Sequence, residues 1–232
     1  MNLKNSSLFQ TKPKKVPTTN PISINRFKDF AAKDCIVLDT REASEFTNGF
    51  IPGSVFIGLG PEFDEWSKKL LEPQKPILII ATEGKEEQAF EKLVNGGFKI
   101  EGFLEGGYRA WKNAGEKIDL IIDIEADELA IDIPFDPNLT VLDVRNYTEF
   151  ANGHLENAIS LPLDEMTDIA QIAGFEENQN IYIYSGSGYK SVIASSVLKR
   201  QGYHNLRNVT GGWIEIEKQK NIVIKKEASK LN

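Results

Sequence analysis

The chain of 232 residues is poor in the residues that most often carry chemistry: one cysteine, Cys35, two histidines, His154 and His204, and two methionines. A lone cysteine forms no intrachain disulfide, and one thiol with two imidazoles cannot make a multi-thiolate zinc site. No metal and no cofactor is therefore expected. Long hydrophobic runs are missing too. No stretch reaches the roughly 18 consecutive apolar residues that a bilayer span needs, and residues 1–20 lack the apolar segment of a secretory signal. The expected location is the cytoplasm, with no membrane partner. Positive charge is also scarce, with 27 Lys and Arg against 34 Asp and Glu and a formal net charge of −7. That is the wrong sign for tracking nucleic-acid phosphates, so a nucleic-acid partner is set aside.

What is present suits a folded protein. Apolar residues make up 41% of the chain and charged ones 26%, with 13 Phe, 6 Tyr and 3 Trp to fill cores. Residues 1–20, rich in Lys, Pro, Thr and Asn, and residues 226–232 lack a hydrophobic period and read as tails.

Between the tails the sequence repeats once. Val37-Leu38-Asp39-Thr40-Arg41 returns as Val141-Leu142-Asp143-Val144-Arg145, and Glu45-Phe46-Thr47-Asn48-Gly49 as Glu149-Phe150-Ala151-Asn152-Gly153, at an offset of 104 residues. Ile77–Ile80 falls opposite Ile181–Tyr184 in the same register, and Gly106-Gly107-Tyr108 opposite Gly211-Gly212-Trp213 one residue later. Two domains follow, over 21–118 and 119–225.

Each copy alternates short apolar runs with segments of helical period. The runs at 35–38, 54–57 and 77–80, and at 140–144, 158–161 and 181–184, lack polar alternation, as strands covered on both faces do. Stripes at Phe63, Trp66, Leu70 and at Phe90, Leu93, Val94 mark helices, with Gly96-Gly97 and Gly202 at positions for left-handed caps. The predicted fold class is α/β: two tandem domains, each an open, mostly parallel sheet with helices on both faces. Such sheets carry their sites in loops beyond the carboxyl ends of the strands.

The loops after the third run of each copy are therefore the candidate sites. In the second copy Ser185-Gly186-Ser187-Gly188-Tyr189-Lys190-Ser191 leads into a helix, giving a cup of backbone N–H groups at a positive helix end, with hydroxyls and Lys190 to receive an anion. In the first copy Ala81-Thr82-Glu83-Gly84-Lys85-Glu86 places carboxylates around the same cup and would repel an anion. Asp39 with Arg41, and Asp143 with Arg145, are expected to be ion pairs that support the cups from behind. Cys35 reads as a buried strand residue, His154 as a hydrogen-bonded structural residue and His204 as exposed. No nucleophile elbow of the Gly-x-Ser-x-Gly type and no complete phosphate-loop motif occurs.

The paired Asp-x-Arg motifs, the Gly49–Ser54 and Gly153–Ala158 stretches, the strand-loop-helix cups and the two Gly-Gly-aromatic triplets resemble the rhodanese family of sulfurtransferases. More narrowly, IGLGPEFDEW, ATEGKEEQA and EGGYRAWKNAGE with SGSGYKSVIASSVLKRQGYHNL resemble the tandem rhodanese region of persulfide dioxygenase fusions that also carry a metallo-β-lactamase-fold domain. The resemblance implies a small sulfur-containing anion or persulfide as ligand and such a domain as partner. In an active rhodanese the first residue of the cup is a cysteine that carries sulfane sulfur. The matching positions here are Ala81 and Ser185. Alanine has no nucleophile, and a serine hydroxyl stays protonated near neutral pH and offers no soft sulfur. The expectation is a catalytically silent, binding or scaffolding protein. The alternative is a sulfurtransferase whose natural residue 185 is cysteine.

Overall fold

A computed structural model describes residues 20–227, apart from 169, 171–173 and 177. The expected tails at 1–19 and 228–232 lie outside the described residues. In the first domain the order is β1 (Pro21–Ile22), α1 (Ile24–Ala31), β2 (Ile36–Asp39), α2 (Ala43–Thr47), β3 (Val55–Phe56), α3 (Phe63–Leu70), β4 (Ile77–Ile80), α4 (Glu86–Asn95), β5 (Ile100–Leu104) and α5 (Gly107–Asn113). The strands form a parallel sheet in the order β1-β5-β4-β2-β3.

The second domain repeats the plan with β6 (Ile122–Ile124), α6 (Ala126–Asp132), β7 (Leu139–Asp143), α7 (Tyr147–Asn152), β8 (His154–Leu155), β9 (Ile159–Ser160), a 3₁₀ turn at Leu163–Glu165, β10 (Asn180–Tyr184), α8 (Tyr189–Arg200), β11 (Leu206–Val209), α9 (Trp213–Ile216) and β12 (Ile224–Lys225). Its parallel sheet runs β6-β11-β10-β7-β9, and β12 pairs antiparallel with β8.

The apolar runs behave as doubly covered strands. Ile77 and Ile79 face one cluster while Leu78 and Ile80 face another, and Ile181 and Ile183 part from Tyr182 and Tyr184 in the same way. Their burial on both faces explains why no polar residue interrupts them. Of the glycines expected at left-handed caps, Gly97 and Gly202 take φ of +85° and +97° just after α4 and α8, whereas Gly96 stays right-handed at −73° because it still closes the last turn of α4. Asn146 caps α7 by accepting the Glu149 N–H at 2.8 Å, and Glu149 closes the capping box.

The two domains share one apolar cluster that runs from β2, β3 and β4 to β7, β10 and α8. α8 covers the outer edge of β3. An edge strand exposes unpaired backbone groups, and here the Phe56 N–H donates to Ser196 Oγ at 2.9 Å. Thr47 Oγ1 donates to Asp123 at 2.6 Å, and Lys199 pairs with Asp119 at 2.9 Å, fastening the junction.

Candidate anion cups

Parallel pairing brings each Asp-x-Arg motif beside a cup. Asp39 is in register with Ile80, and Asp143 with Tyr184, so the residues that follow, Ala81 and Ser185, sit next to the acid at the same sheet end. Both acids are fully buried, and both arginines nearly so. Arg41 Nη2 donates to Asp39 at 2.6 Å and to the Gly49 carbonyl at 2.8 Å, while Arg145 Nη2 donates to Asp143 at 2.6 Å and to the Gly153 carbonyl at 2.7 Å. The guanidinium carbon of Arg41 lies 4.1 Å from the Tyr108 ring centre and that of Arg145 4.3 Å from Trp213. Each Gly-Gly-aromatic triplet thus supplies a lid to a buried ion pair, a function that its sequence position alone did not disclose. Burial raises the Asp39 carboxyl, opposed by its hydrogen bonds to Arg41. For Arg145 burial is the largest influence and works against charge, but the hydrogen bond to Asp143, its negative charge and Tyr184 together outweigh it and hold the guanidinium above its usual value.

In the second cup Ser185 is 1% exposed, so its hydroxyl forms the floor. Ser185 Oγ accepts the Gly188 N–H at 3.1 Å and lies 3.4 Å from Ser191 Oγ, which donates to the Gly188 carbonyl at 2.8 Å. Gly188 has a φ of +95°, the left-handed turn that swings the chain into α8. Behind the floor the Trp213 N–H donates to the Ser185 carbonyl at 2.7 Å, and the Ile214 N–H to the Gly186 carbonyl at 3.2 Å. The Gly186 and Ser187 N–H groups find no acceptor among the described residues. They stand at the start of α8, where the helix dipole is positive.

Two members of the loop point elsewhere. Lys190, expected to charge the cup, lies with its ammonium 5.5 Å from the Trp66 ring centre of the first domain. Tyr189 donates its hydroxyl to the Gly58 carbonyl at 3.2 Å and meets the Phe56 ring edge-on. The reason is geometric: one side of the first turn of α8 lies against the first domain, so Tyr189 and Lys190 turn to the interface while Ser191 keeps to the cup. Burial pushes the Tyr189 phenol up to about 12.

The first cup opens as a cavity of about 460 Å³ with Ala81 on its lining. Thr82, Glu83 and Glu86 border it, Glu83 is paired with Arg109 at 3.0 Å, and Gly84 turns at a φ of +81°. Lys85 is exposed beside it. The carboxylate rim anticipated from the sequence is present, and no nucleophile stands at the floor.

The remaining candidates lie away from the cups. Cys35 precedes β2 and is only partly buried, not the fully buried strand residue expected, because it sits at the open amino end of the strand. His154 stacks on Phe150 at 3.7 Å and bonds the Phe150 carbonyl through Nδ1 at 2.8 Å, while His204 is exposed. Among the described residues no group of three or more His, Cys, Asp or Glu is placed to hold a metal, and no helix is long and apolar enough to cross a membrane.

A tandem α/β protein with two strand-loop-helix cups backed by buried Asp-x-Arg pairs is the class that these features define. The rhodanese-like domain family model matches residues 23–114 and 125–219, and the chain belongs to that family. It is 31% identical over 91 residues to a mitochondrial protein of Schizosaccharomyces pombe named as a thiosulfate sulfurtransferase, covering 34% of this chain and 64% of the relative. It is 32% identical over 108 residues to a Bacillus subtilis protein named as the sulfur carrier protein YrkF, covering 47% of this chain and 55% of that one. The chain thus spans less than two thirds of these relatives. Among solved structures, a thiosulfate sulfurtransferase from Pseudomonas aeruginosa aligns with 89% of this chain and 43% of its own at 18% identity and a TM-score of 0.39.

Proposed function

We propose that the second cup binds a small sulfur-containing anion, such as thiosulfate, without turning it over, and that the first domain serves as a scaffold. The observation that carries this reading is the identity of the two floor residues, Ala81 and Ser185. Sulfane transfer in this family requires a thiolate that becomes a persulfide and then yields its outer sulfur to an acceptor. An alkyl side chain cannot begin that sequence. A serine hydroxyl lies far above neutral pH in acidity, and among the described residues no base is free to assist it: the neighbouring Asp143 is held by Arg145, His154 stacks on Phe150 and His204 is exposed. The Gly186 and Ser187 N–H groups and the positive end of α8 supply binding. The buried Asp143–Arg145 pair keeps the loop in place.

A metallo-β-lactamase-fold persulfide dioxygenase domain belongs to the same proposal as the partner that would exchange sulfur anions with this chain. The full chain is tested with thiosulfate and cyanide, and separately by calorimetry with thiosulfate. Binding with no thiocyanate formed above a buffer blank is expected. Turnover would overturn the silent reading, and absence of binding would overturn the anion-binding one.

One observation favours a second reading. The loop around Ser185 is complete in its backbone donors, so a thiol at this position would meet the environment that lowers thiol pKa values. Ser185→Cys should then acquire a sulfane sulfur from thiosulfate, seen as a mass gain of one sulfur atom. A variant that folds but gains no sulfur counts against it.

A further inference from the structure

At the end of the first sheet opposite its cup, beside the amino end of β2, lies a cavity of about 660 Å³. Its floor is apolar: Val37, Ile51 and Trp111 are each buried, and the Cys35 thiol stands in its wall. Its rim is cationic. Of the two acids on the lining, Glu116 is taken by Lys28 at 2.6 Å and Asp34 by Lys75 at 2.9 Å. Lys33 lies over the Phe30 ring, whereas Lys117 and Arg200 have no carboxylate partner among the described residues. A local surplus of positive charge over an apolar floor thus occurs in a chain of net charge −7.

The volume lies within the roughly 300–1,000 Å³ of small-molecule sites. An apolar floor favours an alkyl body by removing it from water, and unpaired cations at the mouth favour an anionic head group and oppose an ammonium. We propose that this cavity binds a small aliphatic carboxylate, its chain on Val37, Ile51 and Trp111 and its head group at Lys117 and Arg200. The site is independent of the reading given to the cups. Lys117 lies in the segment joining the domains and Arg200 ends α8, the helix whose other end forms the second cup. A carboxylate held there contacts both domains.

Cys35 is the single thiol of the chain, so its alkylation reports on this cavity alone. The full chain is alkylated with iodoacetamide in the presence of octanoate, and in parallel with octylamine. Octanoate is expected to slow the reaction roughly tenfold at ten times its dissociation constant, because only the unoccupied fraction reacts. Octylamine should leave the rate unchanged. Lys117→Glu combined with Arg200→Glu, both at exposed positions, should abolish protection while circular dichroism and the rate without ligand stay as in the parent. Absence of protection overturns the proposal. So does equal protection by octylamine, protection that survives the double substitution, or a doubling of mass on size exclusion showing a second copy over the cavity.

Discussion

The hydroxyl of Tyr189 donates to the carbonyl of Gly58 across the domain boundary at 3.2 Å. The residue that opens the helix behind one cup is thereby held by the domain that carries the other. Two residues further along that helix the Ser191 hydroxyl returns to the loop, and four beyond that the Ser195 hydroxyl donates to the Ser191 carbonyl, so α8 uses its small polar side chains inward. Tyr189→Phe should keep the edge-on contact with Phe56 and lose only the hydrogen bond, at a cost of about 1 kcal/mol. Ser196→Ala should cost more, about 1–3 kcal/mol, because it strands the buried Phe56 N–H. Urea unfolding of the full chain compares the two, and a larger loss in Tyr189→Phe would show that the edge of β3 finds another acceptor.

The ion pairs behind the cups give a sharper test. Asp143→Asn leaves the Arg145 guanidinium buried without its counter-charge, and truncating one partner of such a pair typically costs about 3–5 kcal/mol. The same substitution at Asp39 should behave alike, since the distances in the two domains match within 0.1 Å at each bond of the pair. The drop in urea midpoint measures this. Near-neutral effects would mean that water replaces the carboxylate.

Much of this arrangement is readable in the sequence because it repeats. The offset from Asp39 to Asp143 aligns β2 with β7 and the cup loops with each other, and the uninterrupted apolar runs mark the central strands. Short elements escape notice: α1, eight residues that present only Phe27 as fully buried, and the two-residue strands β1 and β12. The destinations of Lys190 and Tyr189 depend on what stands next to α8, and that is set by packing between domains over a sequence separation of 131 residues for Tyr189 and Gly58. Local pattern holds no record of such a contact. The misplacement of Cys35 has a simpler origin, a one-residue uncertainty at the amino end of β2.

The Gly-Gly-aromatic triplet makes a prediction for the loop itself. A Cβ on Gly212 would stand 2.2 Å from the Ser185 carbonyl oxygen, and its φ of +56° with ψ of −140° suits only glycine. Gly212→Ala must therefore push the cup floor from α9 and break the Trp213 N–H bond to Ser185. A loss above roughly 2 kcal/mol is expected, together with loss of thiosulfate binding. Gly186→Ala, where a Cβ meets nothing within 4 Å, should change stability by less than about 0.5 kcal/mol. If the two variants melt alike, the close approach at Gly212 does not constrain the loop.

Together with Tyr182 and Tyr189, whose phenol pKa values burial also raises, Tyr184 shapes the behaviour at high pH. It is fully buried between Trp213 and the Asp143–Arg145 pair, its hydroxyl makes no bond of good geometry, and desolvation followed by the Asp143 charge raises its pKa well above the ordinary value. In the unfolded chain this phenol ionises near pH 10, while in the folded chain it keeps its proton. Above that point the unfolded state binds fewer protons than the native one, so stability falls as pH rises, by up to about 1.4 kcal/mol per pH unit from this group. Below it the contribution is constant. Tyr184→Phe removes the titration and an unpartnered buried hydroxyl together. Its stability at neutral pH should match the parent within about 1 kcal/mol, and its decline above pH 10 should be shallower by the slope just given. Parallel urea titrations at neutral pH and above pH 10 decide the matter: equal slopes for parent and variant would mean that the folded phenol ionises as readily as the unfolded one, and that the wall between β10 and α9 admits water.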